Sequence, residues 1–312
     1  MNIMVLGAGA IGGYFAGRLI EAGTDVTFVV RPARRQTLTE HGLCIRSKLG
    51  DFSTPVTAIT REEIVQPADI LILTCKAYDL NSAIETIRPA IGPDTAILPL
   101  LNGLAHIDRL NAEFGQHRVL GGLAKIAATL LPDGTIQHLN DWRYLTFGEQ
   151  NGEMSAPVLA LKAAFDQTSV IATATPEIMH AMWEKIVHLA TAAGMTCLLR
   201  ASVGEISRTP DGTRIMTRFL ELNAEIATRE GYKPSDAFMA EYRALFANTA
   251  SPYTASMLRD LERGGPVEAD HIIGDMLAKC RKHGLDDTLH SVAYTHLKSY
   301  EQRRSVGRIT AV

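Results

Sequence analysis

The sequence has no surplus of basic residues, no clustered cysteines and no apolar run long enough to cross a bilayer, and each absence removes a class of function. Its 31 Lys and Arg stand against 34 Asp and Glu, a formal net charge of −3, whereas binding along a phosphate backbone needs a positive excess. A nucleic-acid partner is not expected. Four cysteines (Cys44, Cys75, Cys197, Cys280) are scattered without a CxxC pair or zinc-ligand spacing, so neither a structural metal nor a disulfide is expected. The longest apolar stretch, residues 186–199, is too short for a span and carries His188. The chain opens directly on an apolar run with no basic segment before it, so a soluble, cytoplasmic protein without a membrane partner is expected. Internal repeats, low-complexity tracts and a long linker are absent too.

What is present is a chain of 312 residues, 46% hydrophobic, with a mean hydropathy of +0.03 and a pI near 6.4. That is longer than the roughly 250–300 residues at which one core tends to split, so two domains are expected. Short apolar runs at residues 3–6, 26–30, 70–74 and 96–100 alternate with segments of helical spacing, such as Ile11, Phe15, Leu19 and Ala22 ahead of Gly23. This alternation predicts an α/β fold with a parallel sheet wrapped by helices. After a last strand-like run at 169–171 the texture becomes helical. Pro176 suits the first turn of a helix to about Leu199, Asp211 can cap another ending at Gly231, and Pro266 opens a third stopping near Gly284. The reading is a Rossmann-type domain over 1–173 and an all-helical domain over 174–312.

Gly7-Ala8-Gly9-Ala10-Ile11-Gly12 is a GxGxxG motif lying between a strand and a helix, the context that makes this pattern informative. Gly7 permits the tight turn, Gly9 lets the backbone approach a pyrophosphate, Gly12 lets helix and strand pack closely, and Ala10 and Ile11 open the helix whose N-terminus faces the phosphates. NAD-selective versions place an acidic residue at the end of the second strand. Here that strand ends in Arg31 and Pro32, followed by Arg34 and Arg35. A guanidinium pairs with a 2′-phosphate, so the expected cofactor is NADP(H), with Arg31 the main contact and Arg34 or Arg35 assisting; the other reading is a solvated basic loop. Lys76 and Asn102 follow later strands and can face the same crevice, although either can equally be an ordinary loop residue.

Together with Cys75-Lys76-Ala77-Tyr78, Leu101-Asn102-Gly103, Trp183-Glu184-Lys185 and Ser256-Met257-Leu258, with Glu268 twelve residues past the serine, the glycine motif resembles the ketopantoate reductase family along essentially the whole chain. The resemblance implies NADPH-dependent reduction of a 2-oxo acid to a 2-hydroxy acid, at a site between a Rossmann and a helical domain, and points towards pantothenate biosynthesis. It makes Lys185 the general acid, whereas periodicity alone would leave it a helix-surface lysine. Asn102 then orients that lysine and the nicotinamide ribose, Glu268 holds substrate and lysine in register, Ser256 meets the substrate carboxylate and Lys76 lies on the cofactor side. Trp183 is expected to pack at the domain interface.

Three positions depart from the family pattern. Ketopantoate-specific members carry asparagines four and eight residues beyond the lysine and just before a Gly-Glu pair, where this chain has Leu189, Ala193 and Val203, with Gly204 and Glu205 kept. Losing those amides removes partners for a distal hydroxyl, so the pocket is expected to favour a more apolar 2-oxo acid; His188 and His271 are candidates to compensate. Two other readings are a β-hydroxyacid or opine-type dehydrogenase, and a catalytically silent NADPH sensor. The apolar faces of the long C-terminal helices can close a homodimer or be buried within the monomer.

Overall fold

The structure, a computed structural model, describes residues 1–309. The chain divides into two compact units, Met1–Leu101 with His106–Ile178, and Asn102–Ala105 with Met179–Val312. The division at 178 falls five residues beyond the position read from the sequence. The strand-like signal at 169–171 belongs to a strand that forms slightly later, at Ile171–Ala174, and pairs within the first unit.

The first unit runs β1 (Ile3–Leu6), α1 (Ala10–Glu21), β2 (Val26–Val29), α2 (Pro32–His41), β3 (Leu43–Arg46), β4 (Phe52–Thr54), β5 (Thr57–Ile59), β6 (Ile70–Leu73), α3 (Leu80–Ile87) and β7 (Ala96–Pro99). It continues with α4 (Ala105–Phe114), β8 (Leu120–Lys125), β9 (Ala128–Leu130), β10 (Ile136–His138), β11 (Tyr144–Glu149), α5 (Ala156–Phe165) and β12 (Ile171–Ala174). A five-stranded sheet in the order β5-β2-β1-β6-β7 is parallel throughout. Strands β1 and β6 inside the sheet and β7 at its edge are buried along their whole length, which is why they read as unbroken apolar runs rather than alternating ones. From β1 the chain goes first to β2 on one side and later to β6 on the other, so the crevice beyond the carboxyl ends of β1 and β6 is the topological switch point, where open α/β sheets bind ligands. Two further sheets, β4-β3-β10-β9 and β12-β11-β8, complete the unit.

The second unit is helical: α6 (Ile178–Leu199), α7 (Val203–Ser207), α8 (Gly212–Arg229), α9 (Asp236–Ala247), α10 (Ser256–Glu262), α11 (Asp275–Lys282) and α12 (Thr288–Ser305). The helix expected to open at Pro266 instead begins with a π-turn at Asp270–Gly274 that leads into α11. Among the described residues no helix is long and apolar enough to cross a membrane.

Candidate active site

In the first unit β1 delivers the chain into Gly7, whose φ of +96° is open to glycine at little cost. A Cβ on Gly12 would lie 2.2 Å from the Gly7 carbonyl oxygen and 2.3 Å from Thr74 Oγ1, so only glycine lets α1 start this close to the end of β6. Thr74 Oγ1 in turn donates to the Leu6 carbonyl at 2.9 Å, tying β6 to the loop. Gly9 differs: a Cβ there would meet nothing within 4 Å. The space above Gly9 is open, α1 has no acidic residue in its first turn and no side chain caps its start, so its unpaired N–H groups and the positive end of its dipole are left for an anion. This cradle fits a dinucleotide pyrophosphate. It forms one wall of a cavity of about 510 Å³ that Arg31, Arg34, Arg61 and Lys76 also line.

The arginines do different things. Arg31 is 76% exposed and pairs with Asp79 at 2.8 Å. Arg34 is turned to the protein: its Nε donates to the Ala8 carbonyl and its Nη2 to the Gly134 carbonyl, both at 3.1 Å, and burial lowers its pKa. It ties the glycine loop to the β9–β10 turn, with two of its donors committed. Arg35 pairs with Glu63 and is not among the residues lining the cavity.

In the second unit Lys185 stands on α6 and Glu268 lies just before the π-turn, 7% exposed. Burial lowers the Lys185 pKa from its ordinary 10.5 to about 8, and the negative charge of Glu268 partly opposes that fall. Asn102 belongs to the short segment grouped with this unit. Its neighbour Gly103, φ +88°, packs so tightly that a Cβ would sit 2.6 Å from the His271 carbonyl oxygen, which holds the loop of Asn102 against the segment of Glu268. Ser256 is the half-buried first residue of α10.

Of the three apolar departures, Ala193 and Val203 are fully buried and act through packing; Leu189 alone retains accessible surface. Gly204 explains why the Gly-Glu pair holds its register, since a Cβ there would stand 2.7 Å from the carbonyl oxygens of both Thr249 and Ser251. His188 is hydrogen-bonded through Nε2 to the Tyr253 hydroxyl at 2.8 Å and stacks on Tyr242 at 4.3 Å. Trp183 stacks on Tyr232 at 5.6 Å within the helical unit. Sequence reasoning passed over Tyr253, Asp79 and Arg61, none of which lies in a recognisable motif; Arg61 was discoverable only by pairing the short β5 with β2.

Residues 3–152 match the family described as ketopantoate reductase PanE/ApbA, and residues 177–301 match its C-terminal part. The chain belongs to the ketopantoate reductase family. Among its relatives is the uncharacterized oxidoreductase YkpB of Bacillus subtilis (strain 168), 34% identical over 304 residues that cover 97% of this chain and 100% of YkpB. A 2-dehydropantoate 2-reductase of Mesorhizobium japonicum is 29% identical, over 88% of this chain and 89% of its own. The crystal structure of 2-dehydropantoate 2-reductase from Methylococcus capsulatus superposes with a TM-score of 0.88 at 28% identity, covering 98% of both chains. As a ketopantoate reductase family member the protein is an oxidoreductase of CH–OH groups served by a nicotinamide cofactor.

Proposed function

We propose that the protein reduces a 2-oxo acid to a 2-hydroxy acid with NADPH, and that its substrate carries a more apolar side chain than ketopantoate. The observation that carries this reading is the Lys185–Glu268 pair: a lysine whose pKa is brought to about 8 beside a buried carboxylate. When bound, NADPH supplies the hydride. Negative charge then builds on the ketone oxygen, and a preplaced donor must stabilise and protonate it. The Lys185 ammonium hydrogen-bonds that oxygen and gives up its Nζ proton as the alkoxide forms; a pKa near the working pH makes it a good donor before transfer and a stable amine afterwards. Glu268 keeps enough positive character on Lys185 for it to be charged at neutral pH. Asn102 orients the lysine and the nicotinamide ribose, Ser256 receives the substrate carboxylate, and Lys76 and Arg31 bind the cofactor, with the 2′-phosphate on Arg31. Gly7, Gly9, Ala10, Ile11 and Gly12 form the pyrophosphate cradle, and Arg34 holds it in shape.

The apolar preference rests on Leu189, which offers a methyl surface on the helix of Lys185 at a position where an amide could meet a hydroxyl. The test is NADPH oxidation by the purified protein against ketopantoate, unhydroxylated branched 2-oxo acids and aromatic ones, with NADH as the cofactor control. An unhydroxylated substrate should give the highest kcat/KM, and Leu189→Asn should move the ratio towards ketopantoate by about tenfold, the worth of one buried hydrogen bond. A wild-type enzyme that favours ketopantoate by a wide margin would refute the apolar preference; no turnover with any 2-oxo acid would point to the sensor reading instead.

A further inference from the structure

We propose that Arg61 is the second cation of the site that takes the 2′-phosphate of NADP(H), standing beside Arg31 and setting the preference for NADP(H) over NAD(H). The inference rests on the NADPH reading above. β2 and β5 are neighbouring parallel strands paired Val29 to Ile59, and the Val30 N–H donates to the Ile59 carbonyl at 2.9 Å just beyond the last pair. Arg31, the residue that opens α2, and Arg61, the first residue of the turn after β5, each follow by two residues the ends of this paired couple of strands, so both leave the sheet at the same edge. Both side chains line the same cavity. This is the end of β2, where an acidic residue would bind the ribose 2′-hydroxyl in an NAD-selective protein.

The backbone under Arg61 is fixed. Thr60 and Glu63 form a reciprocal capping box around the single turn Arg61–Glu63, with the Thr60 N–H donating to Glu63 Oε2 at 2.8 Å. Glu63 is further held by Arg35. The Arg61 guanidinium is exposed and makes no hydrogen bond or ion pair among the described residues, whereas Arg34 is committed to two carbonyls and Arg31 to Asp79. The Arg31–Asp79 pair is solvent-exposed and therefore weak, so a dianionic phosphate can displace it. Arg31 alone would still carry the opposing charge of Asp79. Arg61 adds a guanidinium that acts on Glu62 and Glu85 through charge without being held in an ion pair, and two planar forks can grip the phosphate oxygens bidentately. Glu62 and Asp79 also line the cavity, but against four cations, Arg31, Arg34, Arg61 and Lys76.

Calorimetric titration of the full-length protein with NADP⁺, NAD⁺, adenosine 2′,5′-bisphosphate and 5′-AMP isolates the 2′-phosphate contribution. In Arg61→Ala, NADP⁺ and the bisphosphate should bind about tenfold or more weakly, as loss of a charge-assisted contact requires, while NAD⁺ and 5′-AMP stay within about twofold and Arg61→Lys recovers part of the loss. Unchanged NADP⁺ affinity in Arg61→Ala, or an equal loss for NAD⁺, overturns the assignment while leaving the NADPH reading intact. A wild-type protein that binds NAD⁺ as tightly as NADP⁺ overturns the NADPH reading itself. An unaltered melting temperature in Arg61→Ala distinguishes lost binding from lost folding.

Discussion

Lys185 shows what one residue's surroundings add to its identity. In the sequence it is a lysine beside Glu184 on a mostly apolar helical stretch, and only its place in a set of ordered motifs singled it out; the structure supplies the burial and the partner. Because the proton must be on Lys185 when reduction begins, and its pKa is lowered to about 8, kcat/KM for reduction should be flat below pH 8 and fall about tenfold per unit above it. In the oxidative direction the same group must start unprotonated, so that rate should rise through the same pH. Glu268 raises the lysine pKa, so Glu268→Gln should shift the alkaline limb to lower pH. Lys185→Ala should lower kcat by about 10²–10⁴ with NADP⁺ affinity retained. Stopped-rate pH profiles of the three proteins check this; a limb that stays in place in Glu268→Gln would exclude the coupling. Arg61 and Tyr253 were not legible at this scale, because their roles depend on neighbours brought in by strand pairing or by the loop before α10.

At the scale of elements, legibility followed burial on both faces. β1, β6 and β7 are continuous apolar runs because helices or loops cover them on both sides, and α1 announces itself through its glycines. β4 and β5 are three-residue strands, at most half-buried, and carry no period that separates them from loop. The π-turn at Asp270–Gly274 is likewise invisible, since one extra residue per turn leaves the apolar spacing almost unaltered. Gly9 at the start of α1 and Gly12 within its first turn make the division of labour testable. Gly12→Ala forces a methyl into the Gly7 carbonyl and Thr74 and should destabilise the first unit by about 1–3 kcal/mol. Gly9→Ala meets no protein atom and should leave the melting temperature unchanged while weakening NADP⁺ binding, because its methyl projects where the pyrophosphate approaches. Melting curves and cofactor titrations on both variants are the measurement. Equal thermal losses would show that Gly9, too, is there for packing.

For the whole molecule, the change from alternating strands and helices to helices alone is legible in the sequence because it marks where the chain stops feeding a sheet, whereas the short segment Asn102–Ala105 that groups with the second unit carries no such signal. The polar centre of the helical unit could not be read in the same way. Asn223, fully buried on α8, donates through Nδ2 to Thr191 Oγ1 at 3.0 Å and to the Phe219 carbonyl at 2.9 Å. Its Oδ1 therefore faces His290 Nε2 on α12, at 2.9 Å, and His290 must carry its proton on Nε2. That leaves Nδ1 buried without a partner, and a second proton there would be a charge with no acceptor. Burial lowers the His290 pKa from 6.5 to about 4, against a weak opposing pull from Asp287. The unfolded chain binds this proton at ordinary pH values and the native one does not, so stability rises with pH between the two pKa values. The contribution is complete above about pH 6.5 and lost by pH 4, about 3 kcal/mol in all. His296, also lowered by burial, adds in the same direction. Denaturant unfolding of the cofactor-free protein should show its midpoint falling between pH 6.5 and 5, before the carboxylates titrate, and His290→Asn should flatten most of that slope. If the variant keeps the wild-type slope, the acid sensitivity resides outside the Thr191–Asn223–His290 chain.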